Sequence, residues 1–313
     1  NGITVTATDT AGNTATASGS IILDTTAPTV SLNGVTSPTN ATSQTITGTV
    51  EAGATVSVTT DTAASDGAAT VSGTTWSYTI TGLVAGANGI TVTATDTAGN
   101  TATATGSVTL DSGSPVVAIT SPTSNAAYTT TSNTINLGGT AVDGGSGLAG
   151  VAWSDSQGNN GTASGTSSWS ISGIPLSLGE NTITVTATDV AGNTGADTIV
   201  VAYATAPAVS TGIAASVTLR SAILNGRASA NEAETTVWFE YGVSSGVYGT
   251  TTPSLTMSGT TTTGISGSIR GLEEMTTYYC RIAARNSAGT TYGSERRSSH
   301  ARRLQPGTRT AWR

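Results

Sequence analysis

The chain has 313 residues, enough for roughly two to four domains. Thr, Ser, Ala and Gly dominate, charged residues are 9% and there is one Phe; this composition favours strands and turns and leaves no long amphipathic helix. Residues 1–205 hold 12 acidic residues and no basic one, while residues 206–313 hold 6 acidic residues and 11 Arg, so the acidic part has nothing to neutralise phosphates and nucleic-acid binding is not expected.

The two parts carry −12 and +5, and the whole chain −7. There is no Lys, which removes Schiff-base and phosphate-loop chemistry. The single Cys280 allows no intrachain disulfide. No run of 18 apolar residues exists, so no transmembrane helix and no membrane insertion are expected. No signal peptide is visible, but Asn1 begins inside a repeat, so the sequence reads as a fragment.

Residues 1–25 read as two strands, NGITVTATD and TATASGSIILD, the last two strands of a truncated repeat. Two strands cannot bury a core alone. This hairpin must pack on a neighbour, pair with another chain or be poorly ordered. The same words return at Asn88-Gly-Ile-Thr-Val-Thr-Ala-Thr-Asp-Thr-Ala-Gly-Asn100 and, edited, at Asn181 to Asn193 (NTITVTATDVAGN). Asp9, Asp96 and Asp189 mark the same place in each copy, with spacings of 87 and 93 residues. A period of about 90 residues is one small domain rather than a solenoid repeat.

Residues 26–112 form a complete repeat. Strands are predicted at Pro28–Asn33, Gln44–Val50, Thr55–Thr60, Ala69–Val71, Trp76–Ile80, Ile90–Thr95 and Thr101–Leu110, a number and spacing that suit a two-sheet sandwich. Trp76, Tyr78 and Ile80 share one strand face, which makes Trp76 a core residue. Residues 113–204 repeat the plan, with clear strands at Pro115–Thr120, Thr134–Val142, Gly150–Ser154, Ser168–Ser172, Asn181–Thr188 and Asp197–Tyr203. Trp169 echoes Trp76. Trp153 alternates with Val151 and should pack inside, while the loop Asp155–Gly161 should be exposed.

Residues 205–296 change vocabulary, with patterned segments at Ser221–Arg227, Thr236–Gly242 and Gly271–Gly289. Cys280 alternates with Tyr278 and Ile282 and reads as a buried small hydrophobe. If Val237, Phe239 and Tyr241 face inward, Trp238 points out, or the reverse. Residues 297–313 carry Arg clusters and the only His, His300. They read either as a basic tail for an anionic surface or, more simply, as a disordered or out-of-frame terminus.

The repeats resemble bacterial immunoglobulin-like domains, which occur in tandem in surface adhesins and in secreted polysaccharide-active enzymes. The words that carry the resemblance are Gly48-Thr-Val-Glu-Ala-Gly-Ala-Thr-Val-Ser-Val58, Trp76-Ser-Tyr-Thr-Ile80, the three ITVTATD–AGNT segments, and the linkers Leu23-Asp-Thr-Thr-Ala-Pro28 and Leu110-Asp-Ser-Gly-Ser-Pro115. The fourth segment is similar to a fibronectin type III domain. Leu272, Thr276 and Tyr278 fit its tyrosine-corner pattern, with Glu274 where Pro is usual. The fold class is therefore all-β: tandem immunoglobulin-like and fibronectin type III-like sandwiches in an elongated rod.

Catalysis is not expected. Nucleophilic catalysis needs a base beside the nucleophile, and one Cys with one His gives no zinc spacing. Calcium is the sharper possibility. In an immunoglobulin-like sandwich the incoming linker, the loop after the second strand and the last turn share one pole. Asp24, Glu51 and Asp96 could converge there, and the next junction repeats the triplet as Asp111, Asp143 and Asp189. Carboxylates gathered without a basic neighbour repel unless a cation joins them; Ca2+ takes six to eight oxygens, and Asn100 or Asn193 could add some. The competing reading is that each Asp accepts backbone N–H bonds in its own turn. At the third junction Tyr203-Ala-Thr-Ala-Pro207 has no acid, and Arg285-Asn-Ser-Ala-Gly289 replaces the Asp turn.

The function expected from the resemblance is a non-catalytic structural or adhesive segment on a bacterial surface or in a secreted protein, with neighbouring copies, surface or matrix components, or glycans as partners. Two rivals stand beside it. A carbohydrate-binding spacer of a polysaccharide-degrading enzyme would need exposed aromatics in a row, such as Trp238 with Tyr241 or Tyr248. A self-assembling filament would use the hairpin at 1–25 for strand addition.

Overall fold

The computed structural model describes residues 1–299, and every regular element among them is a β-strand. Two compact units form. Among the described residues the first gathers residues 1–116 with 141–150 and 187–195; the second gathers 117–140, 151–186 and 196–299.

Strands Gly2–Thr8 and Thr14–Ser20 pair antiparallel as a two-stranded sheet, in the register Ile3↔Gly19, Val5↔Ala17, Ala7↔Ala15. Every residue of this hairpin is exposed.

Residues 26–112 fold as two sheets. One orders Ser43–Thr49, Thr75–Thr81 and Thr70–Ser72; the other orders Gly67–Ala68, Thr55–Thr60, Gly86–Thr95 and Thr101–Leu110. The period-2 pattern of each strand sends Ile46, Val56, Val58, Trp76, Ile80, Ile90, Val92 and Val108 into one shared core. The expected Pro28–Asn33 strand is reduced to one bridge, Val30↔Val50, with Ser31 and Asn33 N–H groups still donating to the Thr49 and Thr47 carbonyls. Ser31 turns its own carbonyl to Trp76 instead, whose Nε1 donates to it at 3.0 Å. Gly48 lies under this contact, where any Cβ would collide with the Ser31 carbonyl and the indole.

Residues 113–204 give a three-stranded sheet, Val116–Ser121, Thr134–Val142 and Ser168–Pro175, and a five-stranded one ordered Ala127–Thr130, Thr194–Tyr203, Gly179–Asp189, Leu148–Asp155 and Asn160–Thr162. Two strands are additions to the sequence reading. Ala127–Thr130 pairs parallel with Thr194–Tyr203. Asn160–Thr162 pairs with Leu148–Asp155, so the stretch expected as an exposed loop is exposed from Ser156 to Asn160 and forms the turn of a hairpin. Trp169 is buried over Gly139 as Trp76 is over Gly48. Trp153 is half-buried rather than inside, because it covers Gly161 on the neighbouring strand.

The last segment places Ala208–Thr211, Ser221–Ser229 and Thr263–Arg270 in one sheet. The other holds Thr235–Gly242, Thr277–Asn286 and Gly289–Tyr292, with the short strands Thr250–Thr251, Leu255–Met257 and Arg296–Ser299 added. That last strand carries the sheet to Ser299, past the expected boundary at 296; the rest of the basic stretch, with His300, lies outside the described residues. Phe239, Leu224, Ile282 and Cys280 share the core, and burial pushes the Cys280 thiol up. Leu272 is buried, and the Tyr278 hydroxyl accepts the Glu273 N–H at 3.0 Å. This is the tyrosine-corner bond, made without the usual Pro. Glu274 meets Arg220 at 3.3 Å instead. Trp238 is half-buried, not fully exposed, and donates to Glu240 at 3.2 Å.

Candidate junction site

The turn between the last two strands is one chemical unit, Asp-x-x-Gly-Asn, in residues 1–25, 26–112 and 113–204. In Asp96 to Asn100, Oδ1 of Asp96 accepts the Ala98 and Asn100 N–H groups at 2.9 Å each, and Oδ2 accepts the Asn100 side-chain amide at 2.8 Å. Gly99 stands at φ 93°, which a side chain resists. Asp9 to Asn13 and Asp155 to Asn159 repeat these bonds within 0.1 Å. In Asp189 to Asn193 the two Asn193 bonds are kept at 2.7 Å, while the Ala191 N–H goes to Ser146 Oγ at 3.1 Å. The Asp155 copy was missed in the sequence because its middle residues, Ser-Gln, differ; the spacing of Asp, Gly and Asn was the available signal. The Asn side-chain amide is the leading reason that Asp9 and Asp96 are held below the usual carboxylate range.

The Asn of this turn also reaches out of its own repeat. Asn100 Nδ2 donates to the Asp24 carbonyl at 3.2 Å, and Asn193 Nδ2 donates to the Asp111 carbonyl at 2.9 Å. In both cases the acceptor is the linker that enters the repeat. The third junction has no Asp turn, yet Asn286 Nδ2 donates to the Thr205 carbonyl at 2.9 Å and to the Ala230 carbonyl at 3.3 Å. The amide is common to all three ties, and at the third it acts without an Asp turn. The sequence pattern points to the Asp residues, whereas the linker contact is made by the Asn.

The two carboxylate triplets part company. Asp111, Asp143 and Asp189 each bring an oxygen to within 4.8 Å of the others, with Asp111 and Asp189 buried and Asp143 half-buried. Asp24, Glu51 and Asp96 do not gather this way among the described residues: Asp24 and Glu51 are exposed, and Asp24 Oδ1 caps the Thr26 N–H at 2.9 Å. The difference lies in the loop. Asp143-Gly-Gly-Ser-Gly147 is long enough to curl over the linker, with Asp143 Oδ2 accepting the Gly145 and Gly147 N–H groups at 3.1 and 2.6 Å. Ser146 N–H donates to Asp111 Oδ2 at 2.5 Å, and the Val190 N–H donates to the Gly147 carbonyl at 2.9 Å. Gly145 faces the Asp111 carboxylate so closely that a Cβ would strike it. Bonds from Ser146 and then Gly113 hold the Asp111 carboxyl below its usual range. In the first junction the Glu51-Ala-Gly-Ala54 turn is tight, closed by the Ala54 N–H to the Glu51 carbonyl at 3.2 Å, and although the Glu51 N–H donates to the Thr29 carbonyl at 3.0 Å, the Glu51 side chain stays exposed.

All of the cluster's donors are oxygens, and both bonds to Asp143 fall on Oδ2. The first basic side chain in the sequence is Arg220. Three adjacent carboxylates without a basic residue in their segment suit a hard divalent cation in chemistry and charge.

Residues 32–112 match the family model described as the bacterial Ig-like domain. Sequence comparison with curated proteins gives no match. Among solved structures, the tetra-tandem repeat in the extending region of a large adhesion protein is 22% identical, with 96% of this chain and 81% of that one covered and a TM-score of 0.44. The fibronectin(III)-like modules of Clostridium thermocellum CbhA are 19% identical over 56% of this chain and 94% of theirs, with a TM-score of 0.38. A structure of a 1.5-MDa bacterial ice-binding adhesin is 19% identical over 87% and 96%, with a TM-score of 0.34.

Proposed function

We propose, from the premise that residues 32–112 are a bacterial immunoglobulin-like domain, that the chain is a non-catalytic structural and adhesive repeat segment of an extracellular bacterial protein. The observation that carries this reading is the tie made three times over, from Asn100, Asn193 and Asn286 to the linker carbonyls of Asp24, Asp111 and Thr205. A chain that invests the same side chain at each join is built to hold its segments in series. Its partners are neighbouring copies or components of the cell surface or matrix. Loss of the Thr205 tie alone is worth about 1 kcal/mol, and Asn286→Ala also removes the bonds with Ala230 and Ala288, so it should speed limited proteolysis at Thr205–Ala206 at least about fivefold. Unchanged cleavage would count against the tie.

The glycan-binding alternative needs aromatics free to stack on sugars. Here the Arg281 guanidinium lies 4.4 Å from the Tyr248 ring centre and 3.9 Å from that of Tyr292, and pairs with Glu240 at 2.8 Å. The Tyr248 hydroxyl donates to Glu295 at 2.6 Å. These rings are engaged within the sheet, which favours the structural reading.

The finer part of the proposal is a Ca2+ ion held by Asp111, Asp143 and Asp189. It would relieve the repulsion of the three carboxylates and fasten the linker, the Asp143 loop and the closing turn together. Isothermal titration of the full chain should give a single saturable heat with a dissociation constant on the order of 0.1–1 mM, weakened at least about tenfold in Asp143→Asn. No heat at millimolar Ca2+, with melting unchanged, would sink the ion while leaving the Asn ties standing.

A further inference from the structure

Four Asn-Gly pairs fall between residues 26 and 299: Asn33-Gly34, Asn88-Gly89, Asn160-Gly161 and Asn225-Gly226. In each, glycine offers the least hindered main-chain nitrogen for attack on the asparagine side chain before it. The fold holds three of those nitrogens in place. Gly89 sits opposite Ser107, and its N–H donates to Asp61 Oδ1 at 2.6 Å. Gly161 sits opposite Trp153. Gly226 is flanked on both edges, by Thr211 and by Ile265. Two of the side chains are tied down as well: buried Asn88 donates to three carbonyls, and Asn225 Nδ2 donates to the Ile213 carbonyl at 3.0 Å. Asn33-Gly34 is the exception. Both residues are exposed and lie outside every strand. The Gly34 N–H has no hydrogen-bond partner among the described residues, and a Cβ added at Gly34 would have no atom within 4 Å. Asn33 itself is anchored, its N–H donating to the Thr47 carbonyl at 2.9 Å and its Nδ2 to the Thr47 hydroxyl at 3.0 Å. The electrophile is held in place while nothing in the fold fastens the nucleophile.

We infer that Asn33-Gly34 is a site of spontaneous covalent modification, at which the folded chain deamidates. The Gly34 nitrogen forms a bond to Asn33 Cγ, the Cγ–Nδ2 bond breaks, and ammonia leaves with the former Gly34 amide proton. The product is a cyclic succinimide. Water then opens either carbonyl of the ring. One opening gives aspartate; the other gives isoaspartate, in which the main chain runs through Cβ and Cγ and is an atom longer. Both add a negative charge, and water is the only co-reactant. The position gives the change its consequence. Leu32 and Val35, on either side of the pair, pack against the core of the 26–112 sandwich. An added main-chain atom between them puts the two side chains out of step with that core, which tolerates small displacements poorly. The modification therefore loosens this sandwich slowly, without any enzyme.

Incubating the full chain at neutral pH and mapping its peptides by mass spectrometry tests the inference. In the folded chain Asn33 should exchange its amide for an acid at least about tenfold faster than Asn88, Asn160 or Asn225, because those three react only after local opening. In urea, where each has the same glycine neighbour and no fold around it, the four rates should converge. Gly34→Ala should slow conversion at Asn33 at least about tenfold by crowding the attacking nitrogen. The melting temperature should hold in that variant, since a Cβ at 34 meets nothing and the backbone there is outside the left-handed region. The isoaspartate form, separated by chromatography, should show faster hydrogen exchange in Ser43–Thr49, the strand that carries Thr47. Equal rates at the four sites in the folded chain, or conversion at Asn33 undiminished by Gly34→Ala, would overturn the inference. Unchanged exchange in Ser43–Thr49 would overturn its consequence for the core.

Discussion

Asn88→Ala should lower the melting temperature of the 26–112 repeat by about 12–24 °C, and Asn181→Ala should do the same to the following repeat. Asn88 is fully buried at the start of its strand. Its Nδ2 donates to the carbonyls of Val84, Gly86 and Val108 at 2.9, 3.0 and 3.3 Å, and its Oδ1 accepts the Val84 N–H and the Thr62 hydroxyl at 3.0 and 2.9 Å. Asn181 is equally buried and bonds Ser177, Gly179 and Val201 in the same way. Alanine leaves several backbone groups unpaired in the interior. Each such group costs about 1–3 kcal/mol, and partial rescue by water brings the total to about 3 kcal/mol. For a domain of this size each kcal/mol moves the midpoint by about 4–8 °C. Asn1 occupies the same position in the open hairpin and is exposed, so Asn1→Ala is a built-in control with an effect below about 0.5 kcal/mol. A loss under about 1 kcal/mol at Asn88, measured by thermal or urea unfolding, would show that these bonds are replaceable.

Trp76→Ala should cost about 4 kcal/mol, the usual loss for a fully buried large aromatic. The more discriminating comparison is with phenylalanine. Trp76 Nε1 has a partner in the Ser31 carbonyl, whereas Trp169 Nε1 is buried without one among the described residues. Trp76→Phe therefore removes a hydrogen bond and leaves an unpaired carbonyl, while Trp169→Phe removes an unpaired donor. Trp76→Phe should be the worse substitution by about 1 kcal/mol or more. Equal costs in urea unfolding would mean that the two indoles sit in equivalent surroundings.

The sandwich class, the repeat period and most strands could be read from the sequence because period-2 alternation is dense and uninterrupted in stretches such as Thr101–Leu110. Trp76 and Cys280 were legible for the same reason, since each shares a face with apolar neighbours. Pattern alone could not place Ala127–Thr130. Its four residues carry too little alternation, and its parallel partner, Thr194–Tyr203, lies some 70 residues on. The role of Asn88 and Asn181 was hidden because a polar residue at a strand start looks like a turn residue; only the fold reveals that a loop wraps around the amide. Of the two carboxylate triplets named in the sequence, one gathers and one does not. Charge and approximate position were the same at both junctions. Loop length decided between them: Asp143 to Gly147 can curl over the linker, and Glu51 to Ala54 cannot.

Stretching the full chain from its ends in a single-molecule pulling experiment tests the structural reading most directly. Segments that fold separately and are joined in series should give discrete unfolding steps, one for each of the segments 26–112, 113–204 and 205–299, each releasing about 30 nm of chain at roughly 3.5 Å per residue. The steps should return after relaxation. A single release of the whole length, or a smooth extension without steps, would contradict the proposal that residues 26–112, 113–204 and 205–299 each fold as a sandwich of their own.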